Sequence, residues 1–158
     1  MNFFENTHPI KRKQCFVVMP YASEHNVVFS AIEAALKVDF DTIPHLAEEI
    51  VAGDCVMEDV LLNLADADLV IADISGNNAN VFYELGIAHI VRSAQPVLLI
   101  TQNITDMHLD LKSFRCIEYT LSKEGLGQLK DKLVRFVKEE FLPTRFVFKS
   151  MEGDVCLK

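Results

Sequence analysis

A-D-L-V-I-A-D-I-S-G-N-N-A-N-V-F-Y-E-L-G-I-A-H, from Ala67 to His89, changes its hydrophobic rhythm halfway along. Leu69 to Ile74 is apolar except for Asp73, the pattern of a strand covered on both faces. Ser75, Gly76, Asn77 and Asn78 are turn formers. From Ala79 to Val91 the apolar positions Val81, Leu85, Ala88 and Val91 recur at helical spacing, which predicts a helix with that face toward a sheet. Buried strand, tight turn and helix in that order form one unit of a parallel α/β sheet.

The flanking sequence repeats the unit. Cys15 to Met19 is a short buried strand stopped by Pro20, and Ser23 or Asn26 can cap a helix carrying Val27, Ile32, Ala35 and Leu36 up to about Val38. Phe40 to Leu46 is a weaker strand, because Pro44 has no amide hydrogen and fits best on an edge. After Gly53, Asp54 to Ala65 places Val56, Val60, Leu61 and Leu64 at helical spacing. Pro96 to Thr101 and Phe114 to Tyr119 are further strands, and Leu121 to Phe141 is a long amphipathic helix. This alternation predicts a single doubly wound, five-stranded parallel sheet of flavodoxin-like, Rossmann-like type, with helices on both faces. Residues 1–14 are expected to be an N-terminal extension, 15–149 the domain and 150–158 a flexible tail.

Composition narrows the functional classes. Half of the 158 residues are apolar, and 15 basic against 23 acidic residues give a formal charge of −8, which argues against a partner that is a nucleic-acid polymer. From Val38 to Val91 there is no Lys or Arg, whereas Asp39, Asp41, Glu48, Glu49, Asp54, Glu58, Asp59, Asp66, Asp68, Asp73 and Glu84 all fall there. No apolar run is long enough to cross a bilayer and no leader-like segment opens the chain, so a cytoplasmic protein without membrane contact is expected. Cys15, Cys55, Cys116 and Cys156 form no C-x-x-C pair, and the five histidines make no metal-binding spacing, so no metal is expected. The glycine-rich dinucleotide fingerprint, the P-loop and the G-x-S-x-G elbow are all absent.

In a doubly wound sheet, ligands bind outside the carboxyl ends of the strands where strand order reverses. Two loops are expected there, Pro20 to Asn26 and Ser75 to Asn80. Asp73 lies near the end of the strongest strand, and Asn80 and Glu84, four residues apart, share one flank of the next helix, so three polar groups can converge at the crevice. A pair of carboxyl groups is what substitution at a sugar anomeric carbon requires, one to attack or steady the oxocarbenium-like transition state and one to manage a proton. The plainer alternative is that Asp73 and Asn80 cap the turn and the helix while Glu84 is a solvated acid favoured by the helix dipole. His89, five residues beyond Glu84, reads as a structural histidine, and Cys15 and Cys116 as small core residues.

Ala67 to His89 closely resembles the signature of the nucleoside 2-deoxyribosyltransferase-like family, which is related in fold to TIR domains. C-F-V-V-M-P-Y (Cys15 to Tyr21) is similar to that family's first strand and loop, M-E-D-V-L-L-N-L (Met57 to Leu64) to its helix before the third strand, and D-L-K-S-F-R-C-I-E-Y (Asp110 to Tyr119) to its closing strand. The resemblance implies Glu84 as nucleophile, Asp73 as the group that positions substrate or handles protons, and Asn80 as the residue that orients the carboxylate or a sugar hydroxyl. It places Met19, Pro20 and Tyr21, with Ser75, Gly76, Asn77 and Asn78, around the substrate. N-A-N-V-F-Y-E-L-G departs from the D-x-G-T-x-x-E-x-G of the deoxyribosyltransferases and looks more like the broad TIR-like branch.

The implied function is an N-glycosidase or (deoxy)ribosyl-transferring enzyme acting on a nucleoside, nucleotide or NAD, with no cofactor beyond NAD as a candidate substrate. The alternative is a non-catalytic nucleotide-binding sensor or a self-associating signalling module, and a homo-oligomer is implied in either case. Without a cation from Val38 to Val91, phosphates would depend on backbone N–H groups, on Arg92 or on Arg115, so a free nucleoside or a cationic nicotinamide end is expected to fit better.

Overall fold

A computed structural model describes residues 13–20, 23–37, 39–46, 56–91 and 96–141. Tyr21, Gly53, Asp54, Arg92 and the expected tail at 150–158 lie outside the described residues. The chain runs β1 (Lys13–Met19), α1 (Ser23–Leu36), β2 (Phe40–Leu46), α2 (Val56–Asp66), β3 (Leu69–Asp73), α3 (Ala79–Val91), β4 (Val97–Thr101), β5 (Cys116–Glu118) and α4 (Lys123–Arg135), the last continued by a π-helical turn, Phe136–Phe141. The five strands are parallel and ordered β2-β1-β3-β4-β5, the doubly wound arrangement expected from the alternating pattern. Strand order reverses between β1 and β3, so the loops that leave these two strands open the crevice.

Local chemistry accounts for most of the boundaries. β2 is an edge strand, and Pro44 sits opposite Val17 of β1, a place where a missing amide hydrogen is tolerated. Ser122 caps α4 by accepting from the Gly125 amide at 3.0 Å. Gly125 is required there, because a Cβ would run into the Thr120 hydroxyl and carbonyl. β5 begins at Cys116 rather than at Phe114, and Phe114 is an exposed residue of the preceding loop.

The pleat divides the core in two. Cys15, Val17, Met19, Leu69, Ile71, Leu98, Ile100 and Ile117 face α1 and α4, where Val28, Ile32, Leu36, Leu129 and Leu133 meet them and Phe40, Phe136 and Phe141 close the far side. Phe16, Val18, Val70, Ala72 and Leu99 face α2 and α3, against Val60, Leu64, Val81, Leu85 and Ala88. The face of α3 expected to meet the sheet holds at Val81, Leu85 and Ala88. Val91, also expected there, is 47% exposed at the last residue of the helix, and Glu84 completes the buried stripe instead. Among the described residues no helix is long and apolar enough to cross a membrane.

Candidate functional site

The turn after β3 is built around Asp73. Strand alternation puts Leu69, Ile71 and then Asp73 on the α1/α4 side, and the Asp73 side chain is fully buried. Its Oδ1 accepts from the Ser75 amide at 3.0 Å and from the Ser75 hydroxyl at 2.6 Å, an Asx-type turn. Its Oδ2 accepts from the Tyr119 hydroxyl at 2.6 Å. Ser75 Oγ in turn accepts from the Gln102 amide at 2.9 Å, so one carboxylate ties the ends of β3, β4 and β5 together. Beyond Ser75 the chain reverses through two left-handed residues, Gly76 at φ 69° and Asn77 at φ 54°. Nothing crowds Gly76, so its backbone conformation and not lack of space is what favours glycine.

A cavity of about 400 Å³ opens beside this turn, at the carboxyl edge of the sheet. Ser75, Gly76, Asn77 and Asn78 from the β3–α3 turn and Pro20 after β1 line it, together with Ile74, Thr101, Gln102, Asn103, Met107 and His25. His25, in the first turn of α1, is 5% exposed, and its Nε2 stands 3.9 Å from Asp73 Oδ2. His25, Tyr119 and the Thr101–Asn103 segment are the residues that sequence reasoning missed. The segment after β4 was open to inference, since every strand of a parallel sheet ends on the ligand-binding side. His25 falls within the Pro20–Asn26 stretch expected at the crevice, though its residue type does not single it out there, and nothing in the local sequence marks Tyr119; the two reach Asp73 from 48 and 46 residues away in the chain.

The other expected site residues are placed as follows. Glu84 is 1% exposed on the stripe of α3 that carries Val81, Leu85 and Ala88, so it belongs to the α2/α3 side while Asp73 belongs to the α1/α4 side. It is not among the described residues that line the cavity. Asn80 is exposed on the first turn of α3, and the cap that sequence reasoning offered to it is made by Asn78, whose Oδ1 accepts from the Asn80 amide at 2.9 Å and the Val81 amide at 3.3 Å. Met19 is sealed in the α1/α4 core and does not reach the cavity surface. Tyr21 lies outside the described residues.

Burial, and then the Asp73 charge and hydrogen bond, push the Tyr119 hydroxyl well above the ordinary tyrosine value, so it remains a donor to Asp73. Cys116 is pushed up to about 11 by burial first and then by Asp73 and Glu118, which keeps it a thiol at neutral pH. His89 lies away from the cavity, stacked on Phe114 with ring centroids 4.1 Å apart, and burial lowers its pKa. It is packed away from the cavity, but its Nε2 is buried without a hydrogen-bond partner among the described residues, which differs from the satisfied structural histidine expected. Among the described residues no three His, Cys, Asp or Glu side chains come together as a metal site.

No family model matches the chain, and no curated protein matches it in sequence. Solved structures do match. A 2-deoxyribosyltransferase from Bacillus psychrosaccharolyticus aligns over 75% of this chain and 90% of its own at 16% identity, with a TM-score of 0.56. The TIR domain heterodimer of RPS4 and RRS1 aligns over 81% of this chain and 99% of the matched chain at 15% identity, with a TM-score of 0.60. A fungal multi-domain β-N-acetylglucosaminidase aligns over 87% of this chain but 16% of its own, at 17% identity and a TM-score of 0.50. At such identities the likeness is one of fold. The chain has the five-stranded parallel α/β architecture found in 2-deoxyribosyltransferases and TIR domains, and stands in distant structural relationship to both.

Proposed function

We propose that the cavity takes a nucleoside, a nucleotide or NAD, and that the chain cleaves or transfers the N-glycosidic bond of that ligand with Glu84 as nucleophile. The observation that carries this reading is the cavity itself. It opens at the strand-order reversal of a deoxyribosyltransferase-like fold, and the Ser75–Asn78 turn, singled out by its resemblance to that family, forms one wall. Asp73 organises this wall, and hydroxyl and amide groups along the remainder suit the hydroxyls of a sugar and the edge of a base. Glu84 lies in the second turn of α3, the helix that starts directly from the wall. For this reaction the Glu84 carboxylate, buried on the α2/α3 side and outside the described lining, has to turn into the cavity; it then attacks C1′ as the bond to the base nitrogen breaks with its electron pair passing to the base, and water or a second base takes the sugar from it.

The test is incubation of the full chain with NAD, ribonucleosides, deoxynucleosides and deoxynucleotides, with free base measured by chromatography. Release of base is the expected result, with a loss of about a hundredfold or more in Glu84→Gln. A second reading is favoured by one observation, that Glu84 is absent from the described lining. In this reading the chain binds the same ligands without turnover, as a sensor. Calorimetric binding by the wild type and by Glu84→Ala alike, with no base released, would select it.

A further inference from the structure

A second cavity, of about 280 Å³, lies at the lateral edge of the sheet between β5 and the last turns of α4, and shares no lining residue with the first. Arg115, Lys132 and Arg135 line it, and among the described lining residues Glu118 is the one acid. Arg115 directly precedes β5, and its carbonyl already accepts from the Leu99 amide at 2.9 Å, so the ladder fixes its backbone. Lys132 and Arg135, three residues apart, share one face of α4. Lys132 Nζ donates to the Glu118 carbonyl at 3.0 Å, which draws the ammonium over the edge of β5. The acid is engaged elsewhere. Glu118 Oε1 accepts from the Ile104 amide at 2.9 Å, and among the described residues neither Lys132 nor Arg135 makes an ion pair, even with Asp131 four residues before Arg135. β5 also ends the sheet. The Tyr119 amide donates to Thr101 of β4 at 2.9 Å, so the alternating amides of Cys116 and Glu118 face away from β4, where no described strand follows.

We propose that this second cavity binds the diphosphate group of a small molecule, held by the forks of Arg115 and Arg135, by Lys132 Nζ and by the outward amides of β5. Three cations against one engaged carboxylate call for a ligand with more than one negative charge, and guanidinium forks match the paired oxygens of a phosphate. The cations stand on two elements, so the ligand has to present oxygens in more than one direction, as a diphosphate does and a single carboxylate does not. The volume is just below the range of about 300–1,000 Å³ usual for small-molecule sites, which suits the charged end of a ligand better than an extended acidic peptide. Diffuse attraction does not account for such binding, because the chain as a whole carries a formal charge of −8. The first cavity, with no Lys or Arg among its described lining residues, offers a phosphate no comparable countercharge. The site is therefore independent of the nucleoside reading above.

The experiment is calorimetric titration of the full chain with pyrophosphate and with ADP at about 0.15 M salt, for the wild type, Arg135→Gln, Arg115→Gln and Lys130→Gln. Pyrophosphate should bind the wild type saturably. Arg135→Gln and Arg115→Gln should each weaken it by about tenfold, the equivalent of one charge-assisted hydrogen bond. Lys130→Gln, which removes the same charge from α4 outside the cavity, should stay within about threefold of the wild type. Both arginines are exposed and stand on different elements, so a folding defect in one variant leaves the other to decide. ADP weakened by the same two variants would show that a nucleotide can deliver the group, and ADP indifferent to them would make free diphosphate the ligand. Absence of saturable pyrophosphate binding, an affinity unchanged in either arginine variant that folds, or an equal loss in Lys130→Gln overturns the site.

Discussion

The two faces of the sheet solve the same packing problem with different means at their carboxyl ends. On the α1/α4 side the apolar core gives way to a polar cluster in which the buried Asp73 carboxylate holds Ser75 and Tyr119 and is approached by His25. On the α2/α3 side the core runs up to the start of α3, one buried acid, Glu84, sits among Val81, Leu85 and Ala88, and the outward surface of α3 carries Tyr83 and Ile90 at 60% and 81% exposure. The first side spends its buried charge on joining three strands, and the cavity opens over that junction. The second keeps its buried acid on one helix. The cavity and a structural junction thus coincide on one face, and a substitution there should disturb both.

The largest expected effect comes from breaking the junction. Asp73→Ala leaves the Ser75 amide and hydroxyl and the Tyr119 hydroxyl without their shared acceptor in a buried setting, and should cost about 3–5 kcal/mol of unfolding free energy. Urea unfolding followed by circular dichroism measures this. A loss below about 1 kcal/mol would show that the cluster is not the structural joint of its face.

Tyr119→Phe removes one arm of the same junction and keeps the ring in the core, so a smaller loss of about 1.5–3 kcal/mol is expected, the range for a hydrogen bond to a charged group. Its pH dependence sharpens the comparison. The folded protein holds the Tyr119 proton above the ordinary value of 10.0, so above that pH the native state binds more protons than the unfolded chain. The stability from this group is fully present below pH 10 and is lost as pH rises beyond it. Cys116 acts in the same direction, between 9.0 and about 11. Unfolding midpoints measured from pH 8 to 12 should therefore fall more steeply for the wild type than for Tyr119→Phe above about pH 10. Parallel curves would mean that the Tyr119 proton is not held by the fold.

Most of the architecture was legible because each strand of a parallel sheet is a continuous apolar run and each covering helix has its own period, so β3, the Ser75–Asn78 turn and α3 could be read from local pattern alone. The site was legible only where it is local. The turn that lines the cavity is four consecutive residues, and the topology also brought the Pro20–Asn26 stretch with His25 to the crevice, whereas Tyr119 and Gln102 arrive from the ends of β5 and β4, and no spacing within a window encodes their meeting with Asp73. Glu84 was displaced in the reading for a different reason. Hydrophobic patterning assigns a charged residue to the polar flank of a helix, yet positions 81, 84, 85 and 88 are the i, i+3, i+4, i+7 set that faces one side, and Glu84 follows the geometry and not its polarity.

The smallest effect separates two asparagines that sequence alone could not rank. Both Asn78 and Asn80 stand at the entrance to α3, and both have a side chain able to accept from a free helix-terminal amide. The amides at positions 80 and 81 turn toward Asn78 Oδ1, and Asn78 immediately precedes the first helical residue, the position from which a short side chain reaches the second and third amides of the helix. Asn80 is already inside the helix and exposed. Asn78→Ala should therefore cost about 1 kcal/mol and Asn80→Ala less than about 0.5 kcal/mol in thermal or urea unfolding. Because the capped helix belongs to the α2/α3 side while the turn before it closes the cavity, Asn78→Ala should loosen α3 without disturbing the Asp73–Tyr119 junction. Hydrogen exchange would then quicken at the amides of residues 80–82 and stay slow at the ends of β3 and β5, and equal acceleration at both places would mean that the two faces open together.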